Sequence, residues 1–158
     1  MGNEKPNEKN IKGITTNKKA MFDFELIDKA EAGIVLLGTE VKSLRAGKCN
    51  LRDSYARIDK SNEIWLTNSF IGDYPQANIM NHDNKRRRKL LMHRHQIKKW
   101  RQGVEEKGYT IVPVSVYFAD DKVKVQLSLA RPKKKYDKRE TIKERETKRD
   151  LQRRLKGD

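Results

Sequence analysis

The chain has 158 residues, with 37 Lys+Arg against 22 Asp+Glu, a formal charge of +15 and a pI near 9.9. Hydrophobic residues make up 35% and charged residues 37%, too polar a balance for the whole chain to enter one core, so one small domain with a solvated appendage and a polyanionic partner is expected. No run reaches the roughly 20 apolar residues of a membrane helix; the start Met1-Gly2-Asn3-Glu4-Lys5-Pro6 has no apolar signal core, and the lone Cys49 cannot make an internal disulfide, so a reduced, cytoplasmic compartment is expected.

Residues 1 to 14 are polar and contain Pro6 and Gly13, and read as a flexible leader. The folded unit is then 15 to 131. Within it Phe22 to Ile27 and Ala32 to Leu37 read as strands, and Thr39 to Gly47 as a short helix with Thr39 as its cap, Glu40 near its positive end and Gly47 as its stop. Ser54 to Ile58, Ile64 to Phe70 and Tyr109 to Phe118 are further strands, and His95 to Lys107 is a helix with Ile97, Trp100 and Val104 on one face. In the last strand, Lys122 to Ala130, Val123, Val125, Leu127 and Leu129 alternate with polar residues, and Asp120-Asp121 supplies the turn before it. Many short strands with few helices predict a mainly β domain, a closed antiparallel barrel.

Residues 132 to 158 form a basic tail. From 131 onward there are 13 Lys/Arg and 6 Asp/Glu, a net +7, and the only apolar side chains besides Pro132 are Tyr136, Ile142, Leu151 and Leu155. These cannot make a buried stripe, yet no Gly or Pro interrupts Lys138 to Lys156, so the tail is expected to be disordered when free and helical when bound.

The chemistry of sites gives little. Gly33 to Thr39 spells G-x-x-x-x-G-T without the phosphate-binding lysine, and His93 and His95, expected on different helix faces, with His82 and Cys49 distant, do not make a metal set. No catalytic residue, metal or cofactor is assigned. The informative feature is the stretch from Asn84 to Val104, with nine Lys/Arg and no acid, headed by Lys85-Arg86-Arg87-Arg88-Lys89. Such a run is either a solvated face or a phosphate track. Its junction with Leu90-Leu91-Met92, together with Asn17-Lys18-Lys19 and the tail, favours nucleic acid, and the lack of a zinc finger, helix-turn-helix or zipper favours RNA. Glu31 is open between a salt bridge with Lys29 and a carboxylate accepting from a base edge. An RNA-processing enzyme using His82, His93 or His95, and a structural ribosomal protein, are the rival classes.

Glu31 to Lys48 (EAGIVLLGTEVKSLRAGK), then Arg88-Lys89-Leu90-Leu91, Gly108-Tyr109-Thr110-Ile111-Val112-Pro113 and Tyr136-Asp137-Lys138-Arg139, resemble in order the small protein B (SmpB) family of SsrA-binding proteins. The resemblance runs from about Asn17 to the end. It implies an oligonucleotide-binding (OB) type barrel and a non-enzymatic adaptor that binds the tRNA-like half of transfer-messenger RNA (tmRNA, SsrA RNA) and enters ribosomes stalled on truncated mRNA. The implied partners are tmRNA, the decoding centre and empty mRNA channel of the stalled ribosome, and elongation factor Tu with alanyl-tmRNA, the protein being a monomer. Asn17, Glu31 and Leu91 match tmRNA-contact positions, which turns the reading of Glu31 toward the base edge. Lys18, Lys19, Lys42, Arg45, Arg86, Arg88 and Lys89 are the expected basic contacts around them. In the tail, Lys133, Lys134, Tyr136, Asp137, Lys138, Arg139 and Leu155 are the expected ribosome contacts, with Tyr136 against the decoding centre. Asn84, Pro132 and Arg154 depart from the family pattern.

Overall fold

Turn chemistry and side-chain alternation divide the described residues, 10–77 and 81–156 of the computed structural model, into nine strands and four α-helices. In chain order these are Ile11–Thr16 (β1), Lys18–Asp23 (α1), Phe24–Ile34 (β2), Gly38–Arg45 (α2), Cys49–Asn50 (β3), Tyr55–Ile58 (β4), Ile64–Thr67 (β5), Phe70–Ile71 (β6), Arg88–Leu91 (β7), Arg94–Lys107 (α3), Thr110–Ala119 (β8), Lys122–Pro132 (β9) and Lys135–Lys156 (α4). A 3-10 turn spans Pro75–Ala77.

The pairing closes on itself. β2 pairs with β9, β9 with β8, β8 with β4, β4 with β5, β5 with β7, and β7 again with β2, every pair antiparallel. β1 extends this ring along Ser115–Ala119 of β8, the same edge on which β4 meets Ile111. The alternation in β9 comes out as expected, with Val125, Leu127 and Leu129 inside, joined by Ala32, Leu66, Leu90, Ile111 and Val116. Helix α3 adds Ile97 and Trp100 to this core, and the Trp100 indole N–H donates to Asp28 Oδ2 at 2.8 Å, so its one polar atom is satisfied where the ring system is buried. Gly108 ends α3 at φ 67°, a left-handed conformation that glycine, having no Cβ, adopts at no steric cost.

Several boundaries differ from expectation for local reasons. The strand expected from Phe22 begins at Phe24, because Asn17 accepts the Ala20 N–H on its side-chain oxygen and starts a helical turn instead. The two strands expected between Phe22 and Leu37 are one, β2, which bends at a bulge between Leu26 and Asp28 without breaking. The strand expected from Ile64 to Phe70 is cut in two at Asn68, whose φ of 64° turns the chain. Helix α2 is preceded by Leu37, not capped by Thr39; the Glu40 carboxylate accepts the Leu37 N–H at 2.9 Å, and the Thr39 hydroxyl turns to His82 Nδ1, also at 2.9 Å. Residues 11 to 14 of the expected leader belong to β1, where pairing to β8 outweighs their polar composition, and residues 1 to 9 lie outside the described residues.

The tail, expected to be disordered when free and helical when bound, carries helix α4, Lys135–Lys156. Its residues are strong helix formers, and its first turns rest on α1: the Lys133 N–H donates to Asp23 O at 2.9 Å, Lys138 Nζ lies 3.4 Å from Asp23 Oδ1, and the Arg145 guanidinium sits 5.6 Å over the Phe22 ring. From Ile142 onward every described side chain is exposed. No helix among the described residues is long and apolar enough to cross a membrane.

Candidate nucleic-acid interface

Strand parity sorts the basic cluster. In β7, Arg88 and Leu90 point inward, while Lys89 and Leu91 point outward, because alternate residues of a strand face opposite sides. The register sets Leu91 opposite Gly33 of β2. The result is an open groove of about 560 Å³ that brings together Glu31, Lys89, Leu91, Arg94 and Lys124. Leu91 is 53% exposed there, an apolar side chain held in water by the sheet. A Cβ on Gly33 would lie 3.3 Å from Leu91 Cβ, so glycine gives Leu91 its place.

Glu31 is exposed, and its Oε2 accepts the Tyr117 phenol proton. Burial, and then the Glu31 hydrogen bond, push the Tyr117 pKa upward, so the phenol is a donor at neutral pH. Held by one oxygen, Glu31 offers the other to a donor pair from outside. The ammonium of Lys124, whose residue pairs with both Gly33 and Tyr117 in the sheet, borders the same groove. The groove's second carboxylate, Glu63, accepts from Lys89 Nζ at 3.2 Å; the Glu31 acceptor, the exposed Leu91 and the flanking cations make a combination suited to a base edge and its phosphates.

Other expected contacts are placed differently. Arg88, expected to meet phosphate, is 0% exposed: its Nε donates to Glu40 Oε2 at 2.5 Å, and Nη1 donates to both Ser69 O and Ser69 Oγ at 2.9 Å. It is a structural cation. Burial lowers its pKa and the Glu40 contact opposes that; for Glu40 burial raises the pKa, but the hydrogen bonds from Arg86, the Leu37 N–H and Arg88 outweigh it and hold the carboxyl below its ordinary value. Arg86 is half-buried and spends its guanidinium on the same carboxylate. Asn17 is also buried, its amide donating to Pro113 O at 2.9 Å and Leu51 O at 3.2 Å, so it is a helix cap and loop tie.

Lys18 and Lys19 are exposed on α1, Lys19 Nζ lying 2.5 Å from Asp53. Lys42 and Arg45 are exposed on α2, away from the groove, with Lys42 Nζ 5.2 Å over the Tyr74 ring. Among the tail residues, Lys133 donates to Thr141 Oγ1 at 3.3 Å, Lys134 and Arg139 are exposed, Lys138 meets Asp23, and Leu155 is 82% exposed. Tyr136 and Asp137 lie on the first turn of α4, and their side chains are outside the described residues.

The histidines are arranged for structure. His82 is buried, with Nε2 2.9 Å from Ile71 O, an atom that only accepts, so Nε2 carries the proton. His93 and His95, expected on different helix faces, have rings stacked at 5.6 Å, because His93 precedes the first turn of α3. Burial pushes the Cys49 thiol up to about 11, which leaves it a weak nucleophile. Sequence reasoning missed Tyr117, Lys124 and Arg94. The strand alternation could have turned Lys124 outward, but nothing local links Tyr117 to a carboxylate 86 positions earlier.

The chain is similar to known proteins over most of its length. The family described as SmpB protein matches residues 14–157. The chain belongs to the SmpB family. An SsrA-binding protein of Sulfurihydrogenibium sp. (strain YO3AOP1) is 50% identical over 146 residues, 92% of this chain and 95% of that one. Another, from Agrobacterium fabrum (strain C58 / ATCC 33970), is 51% identical over 146 residues, 92% and 91% of the two chains. A solved structure described as "tmRNA-SmpB: a journey to the center of the bacterial ribosome" aligns with a TM-score of 0.65 at 42% identity, over 81% of this chain and 93% of its own. The family match takes in both the ring and α4.

Proposed function

We propose that this chain is an RNA-binding adaptor that binds the tRNA-like domain of tmRNA and, with elongation factor Tu and alanyl-tmRNA, delivers it to ribosomes stalled on truncated mRNA, where trans-translation tags the nascent peptide. The observation that carries this reading is the groove in which Glu31, Leu91 and Lys124 converge, in a chain half identical to SsrA-binding proteins. The Tyr117-held carboxylate supplies base discrimination, and the flanking cations supply phosphate affinity. The ring is read as an OB-type barrel of residues 15–131, joined by β1; closed pairing of six antiparallel strands around a filled interior supports this.

The tail, 132–158, is the part that answers to the ribosome. Only its first turns touch α1, and beyond them an isolated helix of this length is marginal in water, so the distal tail frays in the free protein and is fixed by an RNA-walled channel. Lys133, Lys134, Lys138 and Arg139 would meet ribosomal phosphates, with Tyr136 and Asp137 at the junction and Leu155 as a distal apolar contact. Intact mRNA competes for that space, which makes an empty channel the signal. A gel-shift titration with tmRNA, with an ordinary tRNA as competitor, tests the adaptor reading. At least a tenfold preference for tmRNA is expected; equal binding to both overturns it in favour of a generic polyanion binder.

A further inference from the structure

Helix α1 is tied to the ring on one side and to the tail on the other. On the ring side the buried Asn17 amide donates to Leu51 O and Pro113 O, its oxygen accepts the Ala20 N–H, and Ala20 packs with Val112 and Ala130. On the tail side the contacts come from the last two residues of α1. Asp23 O accepts the Lys133 N–H at 2.9 Å, the Asp23 carboxylate lies 3.4 Å from Lys138 Nζ, and the Phe22 ring faces the Arg145 guanidinium at 5.6 Å. The Glu31 groove uses neither Phe22 nor Asp23.

Spacing on α4 makes this one docked face. Lys138, Thr141 and Arg145 stand at i, i+3 and i+7, a single stripe of the helix, and beside it Lys133 Nζ donates to Thr141 Oγ1 at 3.3 Å. Lys133 and Lys134 alone separate α4 from β9, which ends at Pro132. Pro132 has a fixed φ and sits opposite Phe24 in the sheet, so the link is short and starts from a held strand end. Direction matters because the lever is long. α4 has 22 residues, about 33 Å, so a tilt of about 20° at its base carries its tip about 11 Å, roughly a helix diameter. A tail aimed that far astray meets the wall of a channel, not its opening.

We propose that α1 is a bracket that aims the tail, with Phe22 and Asp23 as positioning residues that hold the first three turns of α4 in one direction before the ribosome is met. The inference rests on the reading of the tail as the part that enters the mRNA channel. Orientation fixed in the free protein lowers the entropy lost on entry, and the ordered base seeds the helix that the channel completes. The Lys138 ammonium has three donors, so meeting Asp23 still leaves it donors for a ribosomal phosphate.

The test has two arms, both on the full chain. For the first, Cys49 is replaced by alanine and spin labels are attached at Lys98→Cys on α3 and Lys143→Cys on α4, both exposed positions. Pulsed dipolar spectroscopy of the free protein is expected to give a narrow distance distribution, which broadens in Phe22→Leu/Asp23→Lys and stays narrow in Phe22→Tyr/Asp23→Glu. Leucine keeps apolar bulk while removing the aromatic face, and lysine sets an ammonium against Lys138. An unchanged melting temperature certifies the fold of each variant. The second arm measures tmRNA affinity and peptidyl transfer to alanyl-tmRNA on ribosomes carrying truncated message. Phe22→Leu/Asp23→Lys is expected to lose no tmRNA affinity and to transfer about tenfold more slowly, as when two contacts each worth a factor of about three are lost. Phe22→Tyr/Asp23→Glu is expected to transfer as the parent does. A parent distribution as broad as that of Phe22→Leu/Asp23→Lys overturns the proposal, as does parent-like transfer by that variant. Faster transfer also overturns it, making the contact a restraint on the tail, and loss of tmRNA affinity alongside transfer overturns it by assigning α1 to RNA binding. A parent that supports no transfer refutes the adaptor reading instead, and the distance arm then decides the bracket alone.

Discussion

Replacing Arg88 by alanine separates a structural cation from a phosphate contact. Arg88 and Glu40 are both fully buried, and the guanidinium also donates to Ser69 O and Ser69 Oγ at 2.9 Å and to Asn84 O at 3.2 Å. Its removal leaves Glu40 with Arg86 and the Leu37 N–H, and strips buried oxygens of their donor. Breaking one side of a buried pair costs about 3 to 5 kcal/mol, against a total of about 5 to 15 kcal/mol for a domain. With a urea slope of about 1.5 kcal/mol/M, the unfolding midpoint falls by about 2 to 3 M. A double variant, Glu40→Gln/Arg88→Met, removes both fully buried charges and recovers part of that loss, the half-buried Arg86 then losing its carboxylate partner.

The pH dependence has a definite sign. The folded Glu40 pKa lies below its unfolded value, so its contribution is present above the unfolded pKa and is lost as pH falls through the folded one. In Arg88→Ala, burial is opposed by fewer hydrogen bonds, the folded pKa rises, and the acid-side loss of stability moves to higher pH. Urea titrations followed by circular dichroism from pH 3 to pH 7 measure both effects. An Arg88→Ala protein within about 1 kcal/mol of the parent, whose tmRNA affinity has lost about 0.9 of its salt slope, would refute the structural assignment and restore Arg88 as a phosphate contact.

Tyr117→Phe releases Glu31 and is expected to lower the preference for tmRNA over tRNA about fivefold, near 1 kcal/mol for one hydrogen bond, with no further effect in a Glu31→Gln background; additive losses in the double variant would show that Tyr117 acts elsewhere. Gly33→Ala pushes a methyl to 3.3 Å from Leu91 Cβ, and a several-fold loss of tmRNA affinity is expected from filter binding, with the melting temperature within a few degrees of the parent. A chain ending at Arg131 is expected to keep tmRNA binding at low salt while losing peptidyl transfer to alanyl-tmRNA in a reconstituted rescue reaction. Full transfer by that chain would remove the tail from the proposal.

Local chemistry made much of this chain legible. Alternation in Val123, Val125, Leu127 and Leu129 identified β9 with its inward face, Gly108 marked the end of α3, and Asp120-Asp121 the hairpin turn. Three kinds of feature escaped. Polar β1 is held by pairing with β8, about a hundred positions away, and no composition rule sees that partner. The turn at Asn17 reads as the start of a basic segment until its side chain is found holding Ala20, Leu51 and Pro113. The groove depends on β2, β7, β8 and β9 meeting, so Glu31 and Leu91 were visible as residues while their holder, Tyr117, was not.

The basic run from Lys85 to Lys89 shows why counting cations does not locate an interface. Arg88 and Lys89 are adjacent in sequence and carry the same charge, yet one is enclosed with Glu40 and the other lies outside on the groove. A strand shows successive residues to opposite sides, so Leu90 entering the core commits Arg88 to enter with it and Lys89 and Leu91 to stay out. An arginine forced inward needs a carboxylate, and Glu40, in the first turn of α2, is the one that reaches it, with Arg86 closing the other side. The same ion set therefore fastens α2 to β7 and fixes the strand that displays Lys89 and Leu91. A one-residue slip of β7 would bury Lys89 without a partner and expose Leu90, so the buried pair penalises the wrong register at a cost of several kcal/mol. In this way a cation that meets no RNA decides which of its neighbours can.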